Sequence, residues 1–303
     1  MYYHNDTMIY FDGNFVKATE AKTDLYGQSL HYGYAVFEGI KSYKTPNGTQ
    51  IFKAKEHYDR LRFSAETMHI PFFHTTSELI ELTHEVLKRN NLSDAYIRPL
   101  VMSSPNMGLS KAKESQLVIE AWEWNNGYLA DKLRVMTSSY RRPNPEAFHV
   151  EAKVSGHYVN SILACQEARD KGYDEALLLD TNGNVAESSG ANVFFEKNGM
   201  LFTPPKGNIL PGITRATVIE ISKKLGIPIV EKFFKPEEMK GADAAFFCGT
   251  AAEIVMLASL DDVPFSKKWE DTYANQIQKG YSSLVLGKSL DVIGNELKQN
   301  ETK

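Results

Sequence analysis

The sequence predicts an α+β fold in two parts, and three features of the chain support this prediction. The first half mixes short strands with amphipathic helices, whereas the second half is richer in strand and hairpin signals. Neither half shows the strict alternation of strands and helices that is typical of a doubly wound parallel sheet. The chain has 303 residues, and single cores tend to split into two domains near this size.

Two helices and a strand are predicted in the first half. Residues 75–90 begin with the capping-box pair Thr75 and Glu78 and continue with an apolar stripe at helical spacing. Residues 55–68 also place apolar side chains on one helical face, and residues 117–122 form an apolar strand.

The run Asn125-Asn126-Gly127 breaks that strand and is the predicted domain junction. We therefore predict a smaller N-terminal α/β domain over residues 1–125. A linker over residues 126–136 and a larger C-terminal domain over residues 137–303 follow.

Hairpins are predicted in the second half. Asn182-Gly183 follows the apolar run at residues 176–180, and Asn-Gly is a strong signal for a tight turn between strands. Asn198-Gly199 separates two further runs, at residues 192–196 and 200–203.

Three helices are also predicted in the second half. One spans residues 158–171 and ends at Gly172, and another spans residues 214–225 and ends at Gly226. The third is indicated by helical spacing of Trp269, Tyr273, Ile277, Tyr281 and Leu284.

Composition excludes several classes of function. The net charge is −4, so the chain lacks the basic surplus that is typical of nucleic-acid binding. No apolar run approaches the ~20 residues that span a bilayer, and the N-terminus has no secretory pattern. Cys165 and Cys248 form no disulfide or metal-binding pattern, and free thiols fit a cytoplasmic location. We expect no nucleic acid, membrane or metal as a partner.

Lys153 is the first candidate for chemistry. It precedes a small Ser-Gly pair, and Tyr158 opens the helix that follows. A surface lysine in a loop is the commoner case. A catalytic lysine needs an amine that can lose its proton and approach a carbonyl group, and burial lowers the pKa of lysine readily. The residue types alone leave both interpretations open.

Three further segments carry candidate residues. At residues 210–215 the chain enters a helix, so that backbone N–H groups and the Thr214 hydroxyl could bind phosphate. At residues 246–253 a strand ends in Gly-Thr-Ala, where Thr250 could help to hold an anion. Glu187 stands in a Ser/Gly-rich loop and could pair with a protonated heteroaromatic nitrogen. Taken alone, an ordinary helix cap, a turn and a solvated carboxylate are the commoner explanations.

The order of these segments resembles that in branched-chain amino-acid aminotransferases, which are class IV, fold-type IV pyridoxal-phosphate enzymes. The resemblance extends from about residue 8 to residue 286 and implies a two-domain α+β fold like that of D-amino-acid aminotransferase, with the cofactor between the domains. It is carried by Leu30–Gly39, Glu56–Leu61, Ala95–Leu100, Ala152-Lys153, Glu187–Asn192, Leu210–Arg215 and Gly249–Glu253.

The resemblance implies a cofactor role for each matching residue. Lys153 matches the catalytic lysine, which binds pyridoxal 5′-phosphate covalently and moves the proton during transfer. Glu187 matches the carboxylate on the pyridine nitrogen, and Tyr158 matches the tyrosine on the phenolic oxygen. The positions that match the phosphate ligands are Arg60, Ile213, Thr214 and Thr250.

The resemblance also implies a substrate pocket. Arg98 matches the arginine that helps to receive the γ-carboxylate of glutamate, while the backbone of Thr250 and Ala251 matches the site of the α-carboxylate. Met107 and Leu109 match a loop from a neighbouring subunit, so a homodimer or higher homo-oligomer is expected. The apolar wall is matched by Tyr32, Phe37, Tyr96 and Trp124, although such aromatic residues are also common in ordinary cores.

The implied reaction is reversible amino transfer between leucine, isoleucine or valine and 2-oxoglutarate. A D-amino-acid aminotransferase and an aminodeoxychorismate lyase-type enzyme are alternatives on the same fold, but Tyr32, Phe37 and the Tyr96/Arg98 pair favour the branched-chain type. His157 and Ser188 depart from residues common in the family.

A cofactor-free binding or scaffold protein is the alternative from another class, because fold alone does not imply function. Loss of the key lysine, glutamate or arginine would signal such a protein. All three residues are present in this chain, which favours the enzyme.

Overall fold

The chain forms two compact units, which are described separately below. The computed structural model describes residues 2–124 and 132–292. Unit 1 comprises Met1–Asn125 and Ala152–His157, and unit 2 comprises Asn126–Glu151 and Tyr158–Lys303. The segment that contains Lys153 thus groups with unit 1. Much of the predicted linker at residues 126–136 lies outside the described residues, and the predicted domain boundaries stay a prediction.

Unit 1 is an antiparallel sheet with helices packed against it. The strands are Met8–Phe11 (β1), Asn14–Lys17 (β2), Ala35–Phe37 (β3), Ile40–Thr45 (β4), Gly48–Ile51 (β5), Ala95–Ser103 (β6) and Ser115–Glu123 (β7). The helices are Gln28–Tyr32 (α1), Ala54–Thr67 (α2) and Thr76–Arg89 (α3). The strand order is β2-β1-β7-β6-β4-β5, and β3 also pairs with β6. Tyr58, Leu61, Leu79 and Val86 of the two longer helices lie in the buried apolar core.

Strand β6 positions polar and aromatic side chains on one face of this sheet. Because side chains alternate between faces, Tyr96 and Arg98 point the same way. The neighbouring strand β7 places Trp122 directly opposite Tyr96, and Glu120 directly opposite Arg98. The pairing of these two strands therefore assembles an aromatic and charged surface from residues that are distant in sequence.

Unit 2 is a mixed sheet with helices around it. The strands are Lys132–Arg141 (β8), Glu175–Leu179 (β9), Val185–Ser188 (β10), Asn192–Lys197 (β11), Met200–Thr203 (β12), Ile229–Glu231 (β13), Ala244–Gly249 (β14), Glu253–Leu260 (β15) and Val263–Pro264 (β16). The helices are Tyr158–Asp170 (α4), Ile213–Leu225 (α5), Pro236–Lys240 (α6) and Tyr273–Val285 (α7). The strand order is β10-β9-β8-β15-β14-β11-β12-β13, and an additional pairing of β10 with β11 closes part of the sheet into a ring.

The two-part α+β fold predicted from the sequence is confirmed, and so are its main elements. The predicted helices at residues 55–68, 75–90, 158–171 and 214–225 agree with α2, α3, α4 and α5 to within about one residue at each end, a margin normal for helix termini. Asn198 and Gly199 both have positive φ, 52° and 73°, as the predicted tight turn requires. In the part of the chain that the structure describes, no helix combines the length and apolarity needed to span a bilayer.

The capping box of α3 provides a stability prediction. Thr75 Oγ1 accepts a hydrogen bond from the Glu78 N–H at 3.2 Å, and Glu78 Oε2 accepts one from the Thr75 N–H at 2.7 Å. We expect Thr75→Ala to lower the free energy of unfolding by ~1 kcal/mol, because it removes one half of this reciprocal cap. Urea unfolding measures the change. Thr75→Ser keeps the hydroxyl and is the matched control; equal losses in both variants would contradict the capping role.

Candidate functional site

The backbone of Lys153 is held from two sides within unit 1. Its N–H donates to Ser64 Oγ at 3.0 Å, and its carbonyl accepts from the Phe37 N–H at 3.1 Å. The next residue, Val154, forms a β-bridge with Val36. The half-buried Lys153 side chain places Nζ 5.0 Å from the centre of the Phe37 ring. The position of this lysine is therefore fixed by main-chain contacts that do not depend on its own side chain.

The glycine that follows Lys153 by three positions, Gly156, is required by a close approach of two backbone segments. The Gly156 N–H donates to the Gly33 carbonyl at 3.0 Å, and Gly33 has φ +65°. A Cβ at Gly33 would lie 2.6 Å from Gly156 Cα, which is closer than non-bonded atoms can approach. Glycine at these two positions lets the two backbones meet and holds the lysine segment in place.

Arg60 lies on α2 and pairs with Glu38. Its Nε and Nη2 donate to the two carboxylate oxygens at 2.6 and 2.9 Å, and His57 Nδ1 lies 2.7 Å from Glu38 Oε2. Burial alone would raise the pKa of Glu38, but the charges and hydrogen bonds of Arg60 and His57 hold it well below its usual range. Burial lowers the pKa of His57. The sequence indicates a role for Arg60 but none for Glu38 or His57, whose contact with it follows only from the fold.

The face of β6 collects the predicted substrate-pocket aromatics around Arg98. The Arg98 guanidinium carbon lies 4.6 Å from the Phe37 ring centre and 5.4 Å from that of Tyr96. The Tyr96 ring lies 5.0 Å from both Trp122 and Trp124. Arg98 Nη2 also donates to the Tyr96 hydroxyl at 3.3 Å. Four residues that the sequence predicts for the pocket thus lie together: Phe37, Tyr96, Arg98 and Trp124. Trp122 also belongs to this group, although nothing in the sequence around it indicates such a role.

Gly39 lies against this aromatic group. A Cβ at Gly39 would come within 2.0 Å of the Tyr96 hydroxyl oxygen, so that any other residue there would displace the ring. On the same sheet face, burial raises the pKa of Glu120 despite the opposing charge of Arg98.

The remaining pocket candidates of unit 1 lie on its surface. Tyr32 is half exposed, and its hydroxyl donates to the Met107 carbonyl at 3.4 Å. Leu109 is 93% exposed. Gln28 ties the loop of Met107 and Leu109 to α1 by donating to the Gly108 and Ser110 carbonyls at 2.6 and 2.7 Å.

Glu187 is the centre of a buried polar network in unit 2. Arg142 Nε lies 2.9 Å from Glu187 Oε1, although this nitrogen makes no well-directed hydrogen bond within the described residues. Asn192 Nδ2 donates to Glu187 Oε2 at 3.0 Å, and the Leu210 N–H donates to both oxygens at 3.2 and 3.3 Å. The carboxylate charge is therefore compensated, as a buried ion requires.

Asn192 joins this network to the loop that leads into α5. Its Nδ2 also donates to the Leu210 carbonyl at 3.0 Å, and its Oδ1 would lie 2.0 Å from a Cβ at Gly212. Gly212 is the N-cap of α5 and provides no capping side chain for the first N–H groups of the helix. Thr214 is buried in the first turn, and Ile213 is half-buried. The helix N-terminus thus offers backbone donors of the kind that bind phosphate.

Thr250 and Ala251 lie in the turn between β14 and β15. Gly249 pairs with Glu253 across this turn, and Glu253 has φ +51°. Both turn residues are half-buried. Tyr158 is the first residue of α4 and is also half-buried.

Each unit by itself offers groups of a kind that a phosphorylated aromatic aldehyde with a basic ring nitrogen would use. Unit 1 offers an amine on a fixed backbone and a guanidinium, and unit 2 offers a charge-compensated buried carboxylate and a helix N-terminus without a side-chain cap. Arg142 was missed in the sequence because an Arg-Arg pair at the end of a strand looks like ordinary surface charge. Among residues 2–124 and 132–292 there is no cluster of three or more His, Cys, Asp or Glu side chains suited to a metal ion.

Comparisons with known proteins agree with this chemistry. The family model described as amino-transferase class IV matches residues 35–260. A branched-chain-amino-acid aminotransferase of Pseudomonas aeruginosa is 39% identical over 291 residues, which is 94% of this chain and 94% of that protein.

Solved structures give the same picture and confirm the predicted fold class. A branched-chain aminotransferase from Thermoproteus uzoniensis, solved with norvaline, has a TM-score of 0.89 and 38% identity, covering 93% of this chain and 96% of that one. The branched-chain amino acid aminotransferase of Thermobaculum terrenum, solved in its PLP-form, has a TM-score of 0.87 and 31% identity, covering 94% and 95% of the two chains.

Proposed function

The chain belongs to the class IV aminotransferase family, and from this membership we propose that it transfers amino groups between branched-chain L-amino acids (Leu, Ile and Val) and 2-oxoglutarate. Pyridoxal 5′-phosphate is its cofactor, as it is for the family. The observation that supports the proposal most strongly is the family match at residues 35–260, which includes every residue to which we assign a cofactor role.

Unit 1 supplies the reactive amine in this proposal. Pyridoxal phosphate, when bound, supplies an aldehyde that accepts the amino group and a ring that withdraws electrons from the reacting carbon. Lys153 Nζ would be the group that holds the cofactor covalently, and the same amine would move a proton at the substrate Cα. Its backbone hydrogen bonds to Ser64 and Phe37 fix the main chain of residue 153 and so restrict the positions that Nζ can reach. This restriction favours a short distance between the amine and the proton that it transfers.

Unit 2 supplies the residues for the ring and most of those for the phosphate. Glu187 would hold the proton on the pyridine nitrogen, and Arg142 and Asn192 keep the carboxylate oriented. Tyr158 would donate to the phenolic oxygen. The phosphate is assigned to Arg60 of unit 1 together with Ile213, Thr214 and Thr250.

The substrate roles follow the same reasoning. The backbone N–H groups of Thr250 and Ala251 receive the α-carboxylate shared by all substrates. The apolar side chains of the substrates are assigned to the aromatic wall of Phe37, Tyr96 and Trp124. The exposed Tyr32, which donates a hydrogen bond to the Met107 carbonyl, is assigned to the same pocket.

Arg98 carries a prediction about the two halves of the reaction. We expect Arg98→Ala to lower kcat/KM for glutamate by about tenfold or more relative to that for leucine, since only glutamate offers a second carboxylate to the guanidinium. Single-turnover rates with each amino acid measure this ratio, and the leucine rate is the internal control. Equal losses for both amino acids would make Arg98 a structural residue of the aromatic cluster.

We also propose a homodimer or higher homo-oligomer and a cytoplasmic location. Unit 1 exposes apolar side chains on two loops, around Tyr26 and around Met107. A hydrogen bond from the Asn106 N–H to the Tyr26 carbonyl, at 2.9 Å, joins these loops. Exposed apolar patches of this kind mark protein contacts. The patch consists of Leu25, Tyr26, Leu30, Tyr32, Met107 and Leu109. Cys165 and Cys248 are free thiols, which supports a reducing compartment.

A spectral titration of the purified protein with single amino acids tests the proposed function. We expect L-leucine, L-valine and L-glutamate, but not D-alanine, to bleach the yellow absorption band of the lysine-bound cofactor. Bleaching by D-alanine would move the activity to the D-amino-acid type. A protein that stays colourless after addition of pyridoxal phosphate would refute the cofactor assignment.

A further inference from the structure

A buried charged group in unit 1 has no place in the roles assigned so far. Glu38 is fully buried, and His57 is 2% exposed. The Arg60 side chain is 10% exposed. Charged groups are rarely buried to this degree unless a function or a complete set of partners retains them.

We propose that Glu38 is a positioning residue for the cofactor phosphate, because it fixes the Arg60 guanidinium in the orientation that binds the phosphate, with His57 holding the carboxylate. This inference rests on the proposed function, in which Arg60 is a phosphate ligand. It adds two residues to which neither the family match nor the sequence motifs assign a role.

The Glu38 carboxylate and the Arg60 guanidinium meet edge to edge. Arg60 meets Glu38 with two parallel N–H···O contacts of 2.6 and 2.9 Å. A two-point contact fixes both the position and the plane of a guanidinium, whereas a one-point contact leaves it free to turn. His57 Nδ1 at 2.7 Å from Oε2 holds the carboxylate in turn. An arginine side chain without such partners would lose more rotamer freedom on binding a ligand.

The location of the cluster links it to the reacting lysine. Glu38 directly follows Phe37, whose N–H donates to the Lys153 carbonyl at 3.1 Å. The main chain that carries the carboxylate therefore also holds the lysine. Burial has the largest effect on the pKa of His57 and lowers it; Glu38 opposes this shift, and the charges of Arg60 and then Lys153 add to it. Because the lysine is held by the Phe37 main chain, a change confined to the Glu38 side chain should leave that contact in place and act on the Arg60 guanidinium.

Two effects of Glu38 on phosphate binding oppose each other. Its negative charge repels the phosphate, while its hydrogen bonds orient Arg60. Glu38→Asp separates the two effects, since it keeps the charge and withdraws the carboxylate by one methylene group. Glu38→Gln removes the charge and places an amide N–H₂ against donors of Arg60 or His57. If the orienting effect is the larger, both variants weaken phosphate binding. If the charge repulsion is the larger, Glu38→Gln alone changes phosphate binding, and it makes that binding tighter.

The test compares pyridoxal 5′-phosphate with pyridoxal, which lacks the phosphate, as probes for the full chain stripped of its cofactor. We expect Glu38→Asp to raise the Kd of pyridoxal phosphate by about tenfold or more and to leave the Kd of pyridoxal unchanged. Loss of a residue that orients a ligand-binding group typically weakens binding by about this factor. Thr83→Val is the matched control. It removes buried hydrogen bonds to Tyr58 and Leu79 without touching the cluster, so it lowers stability and should not alter the ratio of the two Kd values.

Each outcome decides the proposal. In one outcome, Glu38→Asp leaves the ratio of the two Kd values unchanged, while Arg60→Gln lowers the preference for pyridoxal phosphate over pyridoxal. This result would overturn the positioning role of Glu38 and leave Arg60 as the phosphate ligand. An unchanged preference in Arg60→Gln would instead refute the proposed phosphate role of Arg60, and the inference with it. Failure of both Glu38 variants to fold would make Glu38 a stability residue and overturn the proposal. Tighter phosphate binding in Glu38→Gln would do the same.

Discussion

Replacing Lys153 with alanine is expected to lower the rate of amino transfer by at least about 10⁴-fold, as removal of a covalently acting group does in other active sites. The lysine amine is the only group of unit 1 to which we assign both the covalent bond and the proton transfer. Its loss therefore removes two functions at once. Single-turnover absorbance measurements on the purified variant, with L-leucine as substrate, give the rate.

The fold should survive this substitution. The contacts that hold residue 153 are made by its N–H and carbonyl groups with Ser64 and Phe37, and alanine retains both. We expect an unchanged circular dichroism spectrum and loss of the lysine–cofactor absorption band. Lys153→Arg is the charge-matched control and should be equally inactive, because a guanidinium does not form the covalent bond. An intact absorption band in Lys153→Ala would assign the chemistry to another lysine.

The fold was predictable where the signals are local. The Thr75–Glu78 capping box and the Asn198-Gly199 turn specify their own geometry within four residues, and both appear as predicted. The order of strands was not predictable in the same way. The parallel pairing of β8 with both β9 and β15 joins segments far apart in sequence, and such pairing depends on tertiary packing rather than on local residue preference.

The site shows the same division. Glu187 and its partner Asn192 stand in one short segment that the sequence marks, whereas its other partner Arg142 does not. Arg142 approaches Glu187 from a strand end 45 positions earlier (187 − 142), and nothing in its own surroundings indicates burial. A buried carboxylate requires a compensating charge, so that the need for such a partner follows from Glu187, but its identity follows only from the fold.

Substitution of Glu187 by glutamine is expected to lower kcat by about 10²–10³-fold, the usual loss when a preorganised electrostatic contact to the reacting system is removed. A neutral amide does not keep the pyridine nitrogen protonated as a carboxylate does. The ring therefore withdraws electron density from the substrate carbon less strongly. The Kd of pyridoxal phosphate should rise by less than about tenfold, since the phosphate and Lys153 contacts remain. Stopped-flow rates and spectral titration of the cofactor measure the two quantities separately.

The variant also leaves Arg142 without its carboxylate, so that a loss of stability must be separated from a loss of catalysis. Glu196 is the matched control, because it is another buried carboxylate of unit 2, which pairs with Lys267 and accepts from the Tyr273 N–H at 2.8 Å. Glu196→Gln should lower the melting temperature and leave kcat unchanged. If the two variants lose kcat in equal proportion, the effect of Glu187 is structural, and its assignment to the ring nitrogen is wrong. If only Glu187→Gln loses kcat, the carboxylate charge acts on the reaction itself.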